Sequence, residues 1–177
     1  MDIKRLYRLY DHNTDSELLG EFTSFVNLWR SRSTDGAFPR LSDFGLEDFT
    51  AWRGRLSLGK IDDSNQLNMI LWGTQLAYWW GIDYTDKPLG FRDDLYPAAW
   101  NEAEHTYLET LIKTQTIGIW QGNLNQPGTT DINIKCVEVP LAQDGQISHI
   151  LSIYIKYQPG ADIDIKAEPT YTSQYNE

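Results

Sequence analysis

Cysteine is nearly missing from this chain, and so are most features that announce a particular chemistry. The single cysteine, Cys136, can close no intramolecular disulfide and supports no cysteine-based metal site. No run of about 18 apolar residues is present to span a membrane. The opening stretch MDIKRLYRLYDHNT has neither the apolar centre nor the small-residue cleavage site of a secretory signal, which points to the cytoplasm. Positive charge is scarce as well. Residues 61–177 hold six Lys and Arg against sixteen Asp and Glu, and the whole chain carries a net charge of −10. Such a surface repels phosphate backbones, so nucleic acid is a disfavoured partner. A glycine-rich phosphate loop and a Gly-x-Ser-x-Gly elbow are both absent. Asp83, Asp86, Asp93 and Asp94 cluster loosely but lack the glycine and closing glutamate of a calcium loop, and they are expected to be solvated.

Aromatic residues are plentiful. Seven Trp and ten Tyr in 177 residues supply large, rigid surfaces suited to a core, an interface or a ligand cavity. The hydrophobic content of 41% is enough for one packed domain. Residues 1–13 mix Lys4, Arg5 and Arg8 with Leu6, Tyr7, Leu9 and Tyr10, and suggest a short helix or a partner-binding arm. A capping pair, Thr14 and Glu17, then opens a helix whose apolar face is Leu18, Leu19, Phe22, Phe25, Val26 and Trp29. Ser42 or Asp43 introduces a second short helix carrying Leu46 and Phe49.

Strands follow at 55–62 and 66–72, joined by the polar turn 62–65 as a hairpin. After Gly73-Thr74, a short helix over 75–80 ends at Gly81. Pro97 suits the first turn of a long helix with Trp100, Ala103, Tyr107, Leu108, Leu111 and Ile112 on its buried face. Three strands, 117–124, 131–139 and 146–157, come next, with a turn at Asp144-Gly145. Residues 158–177 look like a polar tail.

This order, with the segments FVNLWRSRSTDGAFPRLSDFGLEDF and LNMILWGTQLAYWWGIDYTDKPL, resembles the PAS-domain family, in its stand-alone bacterial form with an N-terminal helical extension. Met69, Ile70 and Leu71 stand where relatives often carry an arginine. Asp86-Lys87 replaces a glycine common after the Asp-x-Thr turn. The resemblance implies an α+β fold: a five-stranded antiparallel sheet with helices on one face, preceded by two N-terminal helices. The expected divisions are a helical extension over 1–54, a core over 55–157 and a tail over 158–177.

The resemblance also implies a non-catalytic sensory or regulatory module holding a small molecule, or nothing, between sheet and helices. Only about 20 residues follow the last strand, so a separate signalling protein or a homodimer is expected to carry the signal. The pocket is expected to take Leu71 and Trp72 from a strand and Leu76, Tyr78 and Trp79 from the short helix. Tyr107 and Leu111 would come from the long helix, and His149 and Leu151 from the last strand. Tyr78, Trp79 and Trp80 splay over about 200° of a helix, so they cannot all face inward.

No cofactor is expected. Cys136 lies on a strand and not in the helical motif of flavin photosensors, and His105 lies on the flank of the helix where haem-binding members place an axial ligand. Two other readings stay open. One is a small cone-fold enzyme of the ketosteroid-isomerase kind, recruiting His149, Tyr78 and Asp83. The other is a ligand-free interaction module that dimerises through Leu6, Leu9, Phe22, Val26 and Trp29.

Overall fold

The structure, a computed structural model, describes residues 4–124, 132–158 and 164–176. Its frame is an antiparallel sheet of eight strands. They are β1 (Lys4–Tyr10), β2 (Leu56–Ile61), β3 (Leu67–Trp72), β4 (Lys87–Pro88), β5 (Ile117–Leu124), β6 (Ile132–Gln143), β7 (Gln146–Tyr157) and β8 (Tyr171–Asn176), in the spatial order β4-β3-β2-β7-β6-β5-β1-β8. Three helices pack on it: α1 (Thr23–Ser31), α2 (Thr74–Trp80) and α3 (Ala98–Thr114).

The five-stranded expectation is overturned at both ends of the chain. Residues 4–10 form neither helix nor free arm. They are an interior strand, paired to β5 on one side and β8 on the other. Arg5, Tyr7 and Leu9 share one face and are all buried. An arginine at a buried position breaks the usual apolar alternation and hides the strand. The supposed tail supplies β8, whose Tyr171, Ser173 and Tyr175 alternate with exposed Thr172, Gln174 and Asn176. It is a sheet edge, where polar residues are the rule, and its partner lies more than 160 residues earlier.

Helices on one face only is likewise corrected. On one side of the sheet α2 and α3 bury Leu76, Trp79, Tyr107 and Leu111 against Met69, Ile134, Cys136 and Ile150. On the other, Leu19, Phe22, Phe25, Val26 and Trp29 pack on Val137, Val139, Leu141 and Ile153. A central strand covered on both faces becomes apolar throughout, which is why β6 is buried at nearly every position. Trp29 ties the second layer down by donating its indole N–H to the Pro140 carbonyl at 2.9 Å.

The N-terminal helix is less regular than its pattern predicts. The segment Ser16–Phe22 is 3-10 in character and broken at Gly20 (φ 59°). Asp15, not Thr14, caps it by accepting from the Glu17 amide at 3.0 Å. The second expected helix consists of 3-10 turns at Leu41–Asp43 and Leu46–Trp52, with Leu46 at 88% exposure. Leu9, Phe22, Val26 and Trp29, candidates for a dimer face, are covered by their own chain at 2% exposure or less. Leu6 is half-buried. Among the described residues, no helix is long and apolar enough to cross a membrane.

Because β1 is interior, Leu9→Ala should lower stability by about 2–5 kcal/mol, while Leu46→Ala should stay within about 0.5 kcal/mol. Urea unfolding of the two variants checks this. Equal effects would contradict the interior placement of β1.

Candidate functional site

The register of the sheet sets up the site. One row crosses seven strands: Trp72, Ser57, Ser152, Glu138, Gly118, Leu9 and Tyr171 are successive pairing partners from β3 to β8. Ser57, Ser152 and Gly118 are small, so the middle of this row forms a trough. A neighbouring row holds Tyr154, Cys136, Trp120 and Tyr7. The α3 side of the sheet therefore carries a shallow basin with aromatic walls.

Strand β5 shapes the basin through Gly118, Trp120 and Gly122, which alternate onto one face. A Cβ on Gly118 would lie 2.1 Å from the Tyr107 hydroxyl oxygen and 2.4 Å from Leu111 Cδ1. Glycine here is what lets Tyr107 descend from α3 onto the sheet. A Cβ on Gly122 would lie 2.1 Å from the Lys4 carbonyl oxygen and 2.8 Å from Arg5 Cδ. Between the two glycines, Trp120 makes a bed for the Arg5 guanidinium, 4.4 Å above its ring centroid; Trp100 of α3 flanks the same group at 5.6 Å.

The resulting cavity is lined by Arg5, Glu104, Glu138 and Tyr107, and walled by rings that include Trp72, Trp80, Trp120 and Tyr154. Trp72, Trp80 and Tyr154 hold one another edge-on, with centroids 5.2 to 5.8 Å apart. Ser57 and Tyr154 share a hydrogen bond of 3.1 Å beneath them. Open space at the centre is about 40 Å³, room for a few waters. A broader groove of about 480 Å³ adjoins it and shares Leu89, Asp93 and Leu108 with the cavity. His105, 60% exposed, lies in that groove with its Nε2 3.5 Å from Asp93.

The charges are what set this cavity apart from an ordinary core. Arg5 is 4% exposed and Glu138 6%. Among the described residues no carboxylate comes within ion-pair distance of Arg5. Its Nη1 has no hydrogen-bond partner, and neither has Glu138 Oε2. Stacking on tryptophan returns about 0.5–2 kcal/mol, whereas desolvating an ion costs several. The aromatic bed alone does not offset the burial of Arg5.

Burial pushes the Glu138 carboxyl up to about 7; Tyr107 and Trp120, which turn their donors toward it, restrain that rise. Burial likewise pushes Glu104 up to about 7, with Arg5 opposing the shift and Glu138 adding to it. Both carboxyls are therefore held well above the usual carboxylate range, mainly by burial. Burial also drives the hydroxyls of Tyr107 and Tyr154 well above their ordinary values, so both stay protonated.

Of the nine residues expected at a pocket, Trp72 and Tyr107 line this cavity. Leu76, Trp79 and Leu111 lie in the core beside it. Leu151 packs on the opposite side of the sheet, because Ile150 and Tyr154 are the β7 residues that face α3. The bulge between Leu141 and Ala142 breaks the simple alternation that grouped Ile147 with Leu151. His149 is buried near the β6–β7 turn, where Nδ1 meets the Ser148 hydroxyl at 2.8 Å. Leu71 is 38% exposed and Tyr78 79%. Tyr78 is thus the member of the aromatic trio that turns outward, while Trp79 and Trp80 are buried.

Arg5, Glu104, Glu138, Trp100 and Trp120 are not among the nine residues expected at the pocket. Two signals for them existed. One is Glu138 within the mostly apolar stretch IKCVEVPL of β6, residues 134–141; the other is the Gly-x-Trp-x-Gly spacing of β5. Cys136 is fully buried, and no group of three or more potential metal-binding side chains occurs among the described residues.

No family model matches the chain, and no curated protein sequence matches it. Among solved structures it is similar to an RNA-binding light-oxygen-voltage receptor. That match has 10% identity and a TM-score of 0.48, and it covers 71% of this chain. The chain spans 36% of that receptor chain's length.

The raised carboxyl yields a prediction with a definite sign. The folded chain keeps the Glu138 proton between about 4.5 and 7, where the unfolded chain has lost it. Its contribution to stability is therefore fully present below about 4.5 and lost as pH rises through 7. Glu138→Gln should match the parent near pH 4.5 and exceed it at pH 8 by roughly 2–3 kcal/mol. Denaturant unfolding at both pH values measures the gap, and a gap independent of pH would contradict it.

Proposed function

We propose that this chain is a PAS-like sensory or regulatory domain that binds a small molecule in the cavity between the sheet and α3. The observation that carries the reading is the pair of buried ionic groups, Arg5 and Glu138, each with an atom left without a partner among the described residues, in one aromatic-walled cavity. Buried polar groups of this kind are ordinarily satisfied, and a cavity with convergent unsatisfied groups is suited to a ligand. The adjoining groove gives a route in, past Leu89, Asp93 and Leu108. A ligand closing onto Tyr107 and Trp100 would bear on α3, and a separate signalling protein or a second copy of the chain would receive the change.

One observation favours a second reading. Two carboxyls held up at about 7 beside a protonated tyrosine are also the equipment of acid–base catalysis. An enzyme of that kind would use Glu138 and Tyr107 in place of the His149, Tyr78 and Asp83 considered from the sequence.

Native mass spectrometry of the purified chain tests the binding function. A small molecule should be retained at one per chain, released on unfolding, and lost or greatly reduced in Arg5→Met and Tyr107→Phe. A chain that emerges empty and gains no thermal stability from any member of a metabolite library would rule the reading out. Turnover of such a molecule, abolished in Glu138→Gln, would move the assignment to the enzyme.

A further inference from the structure

The buried atoms without partners in this cavity are unequal in kind. Three can only donate: Arg5 Nη1 and the indole nitrogens of Trp72 and Trp100. Glu138 Oε2 accepts when the carboxyl is ionised and can donate when it is protonated. The Tyr107 hydroxyl, turned toward the Glu138 carboxyl, can do either. All five residues line the cavity and all are more than nine-tenths buried. A molecule that satisfies this set must bring more acceptors than donors.

Resting on the ligand-binding reading above, we propose that the cavity takes a small organic acid. Its carboxylate would accept from Arg5 and the tryptophan N–H groups, and one O–H or N–H would be offered to Glu138. A guanidinium flanked by two indoles, with its Nη1 left without a partner, suits a planar carboxylate. A cationic ligand would find the aromatic bed already occupied by Arg5. A neutral amide would satisfy fewer of the obligate donors. The two glutamates do not bar an acid, since burial holds both carboxyls up at about 7 and leaves the pair able to keep a proton at neutral pH.

The space of about 40 Å³ sets the size of the first probes. Acetate, acetamide and ethylamine are nearly equal in size and differ in charge. The indole N–H resonances of Trp72 and Trp100, followed by NMR in the intact chain, report occupancy directly. Acetate should shift both saturably at millimolar concentration, with acetamide and ethylamine at least tenfold weaker. Arg5→Met should weaken acetate at least tenfold. Trp72→Phe, which keeps the ring and removes one donor, serves as a second variant should Arg5→Met not fold, and should weaken it severalfold.

Acetamide or ethylamine binding as tightly as acetate would overturn the acid while leaving the cavity as a ligand site. Unchanged acetate affinity in both variants would also overturn it. Resonances that respond to none of the three probes would remove the acid and the binding reading together.

Discussion

The site depends on an arginine placed where a sheet normally places an aliphatic residue. Arg5 sits on an interior strand with both neighbours paired, so its side chain has no way out to solvent. Everything around it accommodates this position. Gly122, its pairing partner, leaves room for its stem, while Trp120 and Trp100 hold its head. Glu104 and Glu138 supply negative charge without closing an ion pair. A buried charge that goes unpaired destabilises a fold, and aromatic stacking returns only part of the loss. Such an arrangement fits a chain in which stability is given up for a site, one of the origins of unsatisfied groups in folded chains.

The sheet is what allows that loss to be carried. Its middle strands are covered on both faces, by α2 and α3 on one and by α1 with its adjoining 3-10 segments on the other. The second layer is built from closely packed side chains: Phe25 and Trp52 meet edge-on at 5.2 Å, and Trp29 stacks on Phe38 at 5.7 Å. The face toward α3 is the one with the trough of small residues, the orphaned donors and the titrating carboxyls. Both faces carry a buried apolar core, and the one toward α3 also encloses the polar cavity.

Much of the interior architecture was legible in the sequence. The strands at 55–62, 66–72, 117–124, 131–139 and 146–157 occur close to those bounds, because alternation and turn residues mark them locally. The long helix after Pro97 buries Trp100, Tyr107 and Leu111 from its expected stripe. What escaped notice was set by distant partners. β1 hid behind its arginines, and β8 behind the polar composition proper to an edge. Missing β1 meant missing the site, since Arg5 looked like a solvated charge. Glu138 was overlooked for a related reason: its role appears only when Gly118 and Ser152 are known to be its neighbours across the sheet.

The pairing of a short aromatic helix with the cavity also took a definite form. Trp80 turns in to the wall that it shares with Trp72 and Tyr154, Trp79 packs in the core beside it, and Tyr78 faces out. The cavity itself is reached by rows running across strands from both ends of the chain. A high-resolution crystal structure of the protein as purified tests this account most directly. It should show non-protein density in the cavity in contact with Arg5 Nη1 and Glu138 Oε2. A dry cavity in which Arg5 pairs directly with Glu104 or Glu138 would contradict it.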